Sequence, residues 1–491
     1  MSPFVAAVDS RLRAMGALQS LEVSLMDACR VKRRRLRSPP MSEPSASPSS
    51  NDQPQAAAPP PSNVSPEGGA TAPRGRGPLK LVFLIVFCDL LGFSILFPLL
   101  PFYATRFDAT PLMVGLLTSV YSVCQLVSAP VLGMISDRRG RRPVLVVCQV
   151  GSAVGLITLG LAALIHWPSN AIGLAVVFFA RVLDGISGGN ISTAQAYIGD
   201  VTTQENRARG MGVIGAAFGI GFATGPALGG VLGHIDPSLP CFAGALCCLT
   251  AAALSFFKLP ESLPPEKRAE AVAREKEALS WTKFATVREV FADSVLSQLI
   301  LSWTLAMAAF VMLESTFALF LHDRFGFGEL GAGLFFALAG VVIAVVQGGL
   351  IGRLTKAWGE WTLVIAGPLL VAAAMFTYVQ SNHAQMIALL VLAGLLNATG
   401  RSFMGPSSSA LVSKMAPPDK QGAVFGVYHG LGSLSRVLGP AWAGWIYERT
   451  ADGPFISAGI LTLIVGGWLW LLHAKVRRGT RRGFEVQAVN R

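Results

Sequence analysis

Gly133-Met-Ile-Ser-Asp-Arg-Arg-Gly-Arg-Arg-Pro143 lies between two apolar runs, Pro111–Ile135 and Val144–His166. Each run reaches the roughly 20 residues that a helix needs to cross a bilayer. The hinge, Ser136–Pro143, holds four arginines, which neither dissolve in hydrocarbon nor cross it readily. It therefore reads as a tight cytoplasmic turn between two spanning helices, and the rest of the topology counts outward from it.

The chain has 491 residues, 52% of them hydrophobic and only 14% charged, with a mean hydropathy of +0.53. The apolar residues come in blocks rather than at amphipathic spacing, the pattern of a polytopic helical membrane protein. The net charge of +12 is no sign of a nucleic-acid partner. The basic residues sit in short loops and tails on alternate sides of the blocks, as topology requires. Cys88, Cys124, Cys148, Cys241, Cys247 and Cys248 lie in or at the ends of apolar runs, and Cys29 lies in the N-terminal tail. None forms a Cys-x-x-Cys pair or keeps company with histidines, so no metal site or cofactor is expected. No nucleophile–base constellation and no Gly-x-x-x-x-Gly-Lys-Ser/Thr loop is present, so neither an enzyme nor an ATPase is implied.

Twelve spans emerge, at 80–103, 111–135, 143–166, 171–195, 210–233, 240–258, 293–321, 329–352, 361–380, 384–407, 421–446 and 455–475. The loops on one side carry Arg106, Arg324 and Arg449; nearly all other Lys and Arg fall on the side of the Ser136–Pro143 hinge. That split places both termini in the cytoplasm of a multi-pass protein of the plasma (inner) membrane. Residues 1–79 form a disordered cytoplasmic tail, rich in Pro, Ser and Ala after the basic cluster Arg30–Arg37. Met41 opens Met-Ser-Glu-Pro-Ser and reads as a plausible true start. Residues 80–258 make an N-terminal six-helix bundle, 259–292 a cytoplasmic linker, 293–475 a C-terminal six-helix bundle and 476–491 a basic cytoplasmic tail. Within the linker, Pro264–Ser280 reads as a charged helix. Gly225-Pro226 is matched by Gly439-Pro440, an offset of 214 residues (439 − 225). The hinge that starts at Gly133 has a degraded partner at Gly349–Glu360, an offset of 216 (349 − 133). The two bundles are therefore duplicated halves, with the substrate site expected where they face each other near the bilayer midplane.

The motifs themselves resemble the major facilitator superfamily of secondary transporters. Gly133–Arg142 is similar to its Gly-x-x-x-Asp-Arg-x-Gly-Arg-Arg signature. Ala180–Gly189 resembles the fourth-helix motif built on an arginine, and Gly215–Gly230 the fifth-helix antiporter motif. Asp89–Pro101, together with Tyr121, Gln125, Pro130 and Ala196–Asp200, resembles the tetracycline-type drug/proton antiporter branch. The resemblance implies a twelve-helix carrier of two pseudo-symmetric six-helix bundles, working by alternating access. It implies proton-coupled export of a small amphipathic or drug-like molecule, with substrate, protons and the lipid bilayer as partners of a monomer. Symport or uniport of a small metabolite or organic anion is the alternative, and a non-transporting receptor a more remote one.

Site residues follow in four groups. Asp137, Arg138, Arg141 and Arg142, with Gly133 and Gly140 permitting the close approach and the turn, form a candidate latch between the halves. Asp89, Arg181, Asp184 and Glu314 are charges inside spans, which cost several kcal/mol and so mark function. Asp89 is expected to exchange a proton, with Arg181 tuning it from across the cavity. Asp184 stands where the tetracycline branch usually has a small neutral residue, so it either satisfies Arg181 locally or adds a second proton site. Glu314 stays equally open as proton carrier, substrate counter-ion or buried acid. Gly215, Gly219, Gly225, Pro226, Gly229 and Gly230 offer close helix packing. Gln125, Asn190, Gln347 and Asn397 offer hydrogen bonds to cargo.

Overall fold

The computed structural model of the chain describes residues 76–489, except 97, 203–206, 267, 269–287, 289, 382–385 and 418–419. The expected disordered tail lies outside the described residues save for its last four, and so does most of the expected linker helix. The described residues are mainly helical, and no strand occurs among them.

Nine stretches of the described residues are long and apolar enough to cross a membrane, and one of them, Glu329–Gln380, turns back on itself at Gly359. Counting that one as two, and adding the first span (Arg76–Leu96 with Leu100–Thr105) and the eleventh (Gln421–Tyr447), gives twelve. The others are Pro111–Arg139, Arg141–Leu164, Asn170–Ser187 with Asn190–Val201, Arg207–Ile235, Ser238–Lys258, Ser294–Phe325, Ile387–Met415 and Gly453–Val489. The helix that carries the twelfth span continues past it to Val489, through the expected basic tail. Lysine and arginine suit the negative end of a helix dipole, so nothing electrostatic stops it there.

Local chemistry sets the ends. Asp293 starts the seventh span by accepting from Val295 N and Leu296 N at 2.9 and 3.0 Å. Gly326, at φ +67°, ends it in the left-handed conformation that favours glycine. The hinge between the second and third spans is shorter than its sequence suggests. Helix persists to Arg139 and resumes at Arg141, leaving Gly140 alone, at φ +104° and ψ 159°, to reverse the chain. Gly359, at φ +78° and ψ 160°, does the same between the eighth and ninth. These backbone shapes are nearly glycine-only, and they recur at an offset of 219 (359 − 140).

In the N-terminal half the first span packs on the fifth and sixth, and the third on the fourth and sixth. In the C-terminal half the seventh packs on the eleventh and twelfth, and the ninth on the tenth and twelfth. The halves meet through two symmetry-related pairs, the second span on the eleventh and the fifth on the eighth. Both contacts lie toward the face opposite the arginine-rich hinge. There Gly115 abuts the Pro440 carbonyl, Gly444 the Pro111 carbonyl and Gly333 the Pro226 carbonyl, so closely that a methyl group would clash with each. Nearer the basic face, no atom of the described residues stands within 4 Å of a Cβ built on Gly133, Gly215, Gly219, Gly348, Gly349, Gly352, Gly422 or Gly426. The same four helices thus diverge, and the space between the halves opens to the basic face.

Candidate functional site

The cleft between the halves has two arms that share Glu314. One is lined by Phe93, Leu96, Leu100, Pro101, Thr118, Arg181 and Ser315. The other holds about 670 Å³ of empty space, open to solvent, with Arg401 and Asn397 beside a wall of Phe222, Phe310, Phe317, Phe335, Phe336 and Tyr378. Arg401 lays its guanidinium over the Phe310 ring, 3.1 Å from the centroid. Arg401 and Arg436 are the charges that act on Glu314. Among the described residues Glu314 has no hydrogen bond or ion pair. The arrangement can hold a flat or greasy body against aromatic faces, while one carboxylate and one guanidinium meet polar ends.

Of the two arrangements the sequence left open for the N-terminal charges, the structure has the local one. Arg181 does not bond Asp89; its Nη1 donates to Asp184 Oδ2 at 2.6 Å, one helical turn away. That pair is 5% and 6% exposed, with the guanidinium over the Tyr121 ring at 4.3 Å. Asp89 accepts from Asn190 Nδ2 at 2.8 Å. It lines a separate, smaller void inside the N-terminal half, with Gln149, Asn190, Tyr197 and Leu259.

The four expected cargo-binding amides also separate. Asn397 lines the cleft. Gln125 spends its amide on Tyr121 Oη (3.2 Å) and the Gly188 carbonyl (2.9 Å), and Asn190 spends its own on Asp89. Gln347 is exposed, on a π-helical turn, Val346–Leu350, in the eighth span.

The hinge residues form a dense network on the basic face. Arg141 is buried and pairs with Asp137 (2.5 Å) and with Asp200 (3.3 Å). Its Nη1 also donates to Ser136 Oγ at 2.7 Å. Glu261 accepts from the backbone N–H groups of Arg141 and Arg142, at 2.9 and 3.1 Å. Arg142 donates to the Phe256 carbonyl, and Arg138 is exposed on the last turn of the second span. The bonds described for Asp137, Arg141 and Arg142 all stay within the N-terminal half and the chain just after it. Gly140 makes the turn, whereas Gly133 has open space beside it.

The antiporter-type glycines divide as well. Gly225 and Gly229 press on Ser94 and Ile95 of the first span, and Gly230 on Glu329 and Gly333 of the eighth. Pro226 contributes the carbonyl that meets Gly333. Gly215 and Gly219 make no such approach, because their end of the fifth span stands where the halves have parted.

The aromatic wall and the roles of Asp200 and Glu261 were not read from the sequence. Phenylalanine in a span looks the same whether it faces lipid or cargo. The two acids, however, sit at the ends of apolar runs, a visible signal, although only the fold brings them to the arginine cluster.

Two duplicated six-helix bundles, a cleft between them and this hinge define a secondary transporter of the major facilitator class. The family model for the Major Facilitator Superfamily matches residues 82–440 and again 351–488, and the chain belongs to that family. It is similar to human Major facilitator superfamily domain-containing protein 10, at 31% identity over 76% of this chain and 88% of that protein. It is also similar to the class B tetracycline resistance protein of Escherichia coli, at 26% over 80% and 91%. Among solved structures, the human organic anion transporter MFSD10 (TETRAN) superposes with a TM-score of 0.60 at 29% identity, over 81% of this chain and all of that one. The chain is thus a multi-pass membrane transporter and not an enzyme.

Proposed function

We propose that this carrier exports small amphipathic compounds in exchange for protons, by alternating access, as a monomer in the plasma (inner) membrane with both termini in the cytoplasm. In that reading the basic face is cytoplasmic, and the conformation described here is open to the inside, ready to load. The observation that carries it is Glu314, a carboxylate shared by both arms of an aromatic cleft and without a hydrogen bond or ion pair among the described residues. A carboxylate there binds either a proton or a cationic or hydrogen-bonding cargo group, and the competition couples the two. Relatives named for tetracycline and multidrug resistance support export.

A second reading, organic-anion transport, draws on Arg401 in the same cleft and on the human relative described as an organic anion transporter. Proteoliposomes with an imposed pH gradient separate the two. Ethidium uptake driven by an acid interior, lost at least tenfold in Glu314→Gln, is the expected result. Movement of an aromatic carboxylate instead, unaffected by Glu314→Gln, would select the anion reading.

A further inference from the structure

The fourth span is two helices. It stops at Ser187 and restarts at Asn190, and Gln125 of the second span takes up the Gly188 carbonyl at the break. Gly188 and Gly189 are seated tightly on the second span. A Cβ on Gly188 would stand 2.5 Å from Tyr121 Oη, and one on Gly189 within 3.0 Å of Leu132, Ser128 and Ala129. The break is therefore braced from outside by the second span.

The restarted helix, Asn190–Val201, has 12 residues and no side-chain cap at its start. Asp89 of the first span meets that start through Asn190. A carboxylate there faces the positive end of the helix dipole, and its bond from the amide is charge-assisted. At the other end Asp200 accepts from Arg141 Nε at 3.3 Å and from Ser262 Oγ at 3.1 Å. Tyr197, on the same short helix, donates to the Pro260 carbonyl at 2.9 Å. One rigid segment thus carries the contact to an intramembrane acid at its beginning and the contact to the hinge arginine at its end.

We propose that Asn190–Val201 is a rod that transmits the charge state of Asp89 to the arginine-rich hinge, with Asn190 as the positioning residue. The inference rests on the proton-coupled reading. Ionised Asp89 holds the helix start through both charge-assisted terms. A proton taken up on its carboxylate weakens both, the start swings on Gly188–Gly189, and Asp200 loosens from Arg141. The titratable groups that act on or respond to Asp89 are Asp184 on the fourth span, Tyr121 on the second, Cys148 on the third, Cys248 on the sixth and its neighbour Cys88. Only Asp184 among these is an acid of carboxylate strength, and its charge is met by Arg181.

The test uses the full chain in nanodiscs, its seven native cysteines replaced, with spin labels at positions Lys258 and Lys356, exposed on the two halves at the basic face. The label distance should change with pH around a single midpoint, and Asp89→Asn should freeze it. Asn190→Ala removes a bond to the ionised form, so the midpoint should rise by at least one pH unit, a tenfold change in proton affinity. Asn190→Gln should restore most of that shift. Asp200→Asn should keep the midpoint and flatten the response, and it decides the matter if Asn190→Ala does not fold. An unshifted midpoint in Asn190→Ala, or a full response in Asp200→Asn, overturns the rod. If the distance ignores pH while gradient-driven transport still depends on Glu314, the rod falls and the proton-coupled reading stands. If neither responds, both fall.

Discussion

Arg141 answers to two carboxylates of unequal exposure, Asp137 at 48% and Asp200 at 25%. The arginine itself is buried, so what matters is which loss leaves it uncompensated. An exposed partner contributes about 0–1 kcal/mol. Asp137→Ala should therefore lower stability by less than about 1 kcal/mol, whereas Asp200→Ala, which also strips Ser262 of its acceptor, should cost about 1–3 kcal/mol. Thermal unfolding in detergent checks the order, and a larger loss for Asp137→Ala would contradict it. Transport should nonetheless stop in Asp137→Ala if the hinge latches the halves. At this scale the charges were legible, because an acid or a guanidinium inside an apolar run is conspicuous. Their partners were legible only in part, since the local Arg181–Asp184 pair was one of two open readings and the amide on Asp89 was not foreseen. Arg181 takes the acid one turn along its own helix, and Asp89 takes an amide 101 residues away, a choice that only packing decides.

Among the elements, the two reversing turns make a controlled pair. A Cβ at Gly140 would collide with the Glu261 carboxylate that binds the following backbone, whereas one at Gly359 meets nothing within 4 Å among the described residues. Both positions have positive φ, so Gly359→Ala should cost about 1–3 kcal/mol from backbone strain alone. Gly140→Ala should cost more and also weaken the Glu261 contacts, read as a larger drop in melting temperature. Equal drops would mean that Glu261 moves aside freely. The twelve spans were legible because hydrophobic length is a coarse and robust signal. The break at Gly188–Gly189 was not, although both glycines are plain to see. A helix can be interrupted inside a bilayer only when something takes the freed carbonyl, and here that is a glutamine 63 residues away.

For the molecule as a whole, closure on the face away from the hinge combines backbone contact with a polar clasp. Glu448, at the end of the eleventh span, accepts from Leu112 N at 3.1 Å, and Arg106 reaches Glu329 at 3.5 Å. Hydrogen bonds from Thr110 and from the Leu112 backbone hold the Glu448 carboxyl below its usual range. A depressed value means that the clasp is fully present above the ordinary carboxylate pKa, about 4.3. It is lost only as pH falls through the lower, native-state value. A distance reporter between the start of the second span and the end of the eleventh should stay constant through mild acid and lengthen below that range. Glu448→Gln should abolish the acid step, and an unchanged step would assign it to another group. The pairing of halves was legible from repeated offsets; which ends touch was not, since a carrier's sequence encodes every state it visits.

Those offsets also align two irregularities. Pro130 sits inside the second span, and at 216 residues on (346 − 130) the eighth span widens into the π turn Val346–Leu350. A proline fixes a bend by removing a backbone donor, whereas a π turn holds a surplus residue within an unbroken spiral. The second span therefore has a proline where its twin, the eighth, carries slack that can be wound in or let out. When the lobes rock, deformation should concentrate in the eighth span, making the motion lopsided despite the inherited symmetry.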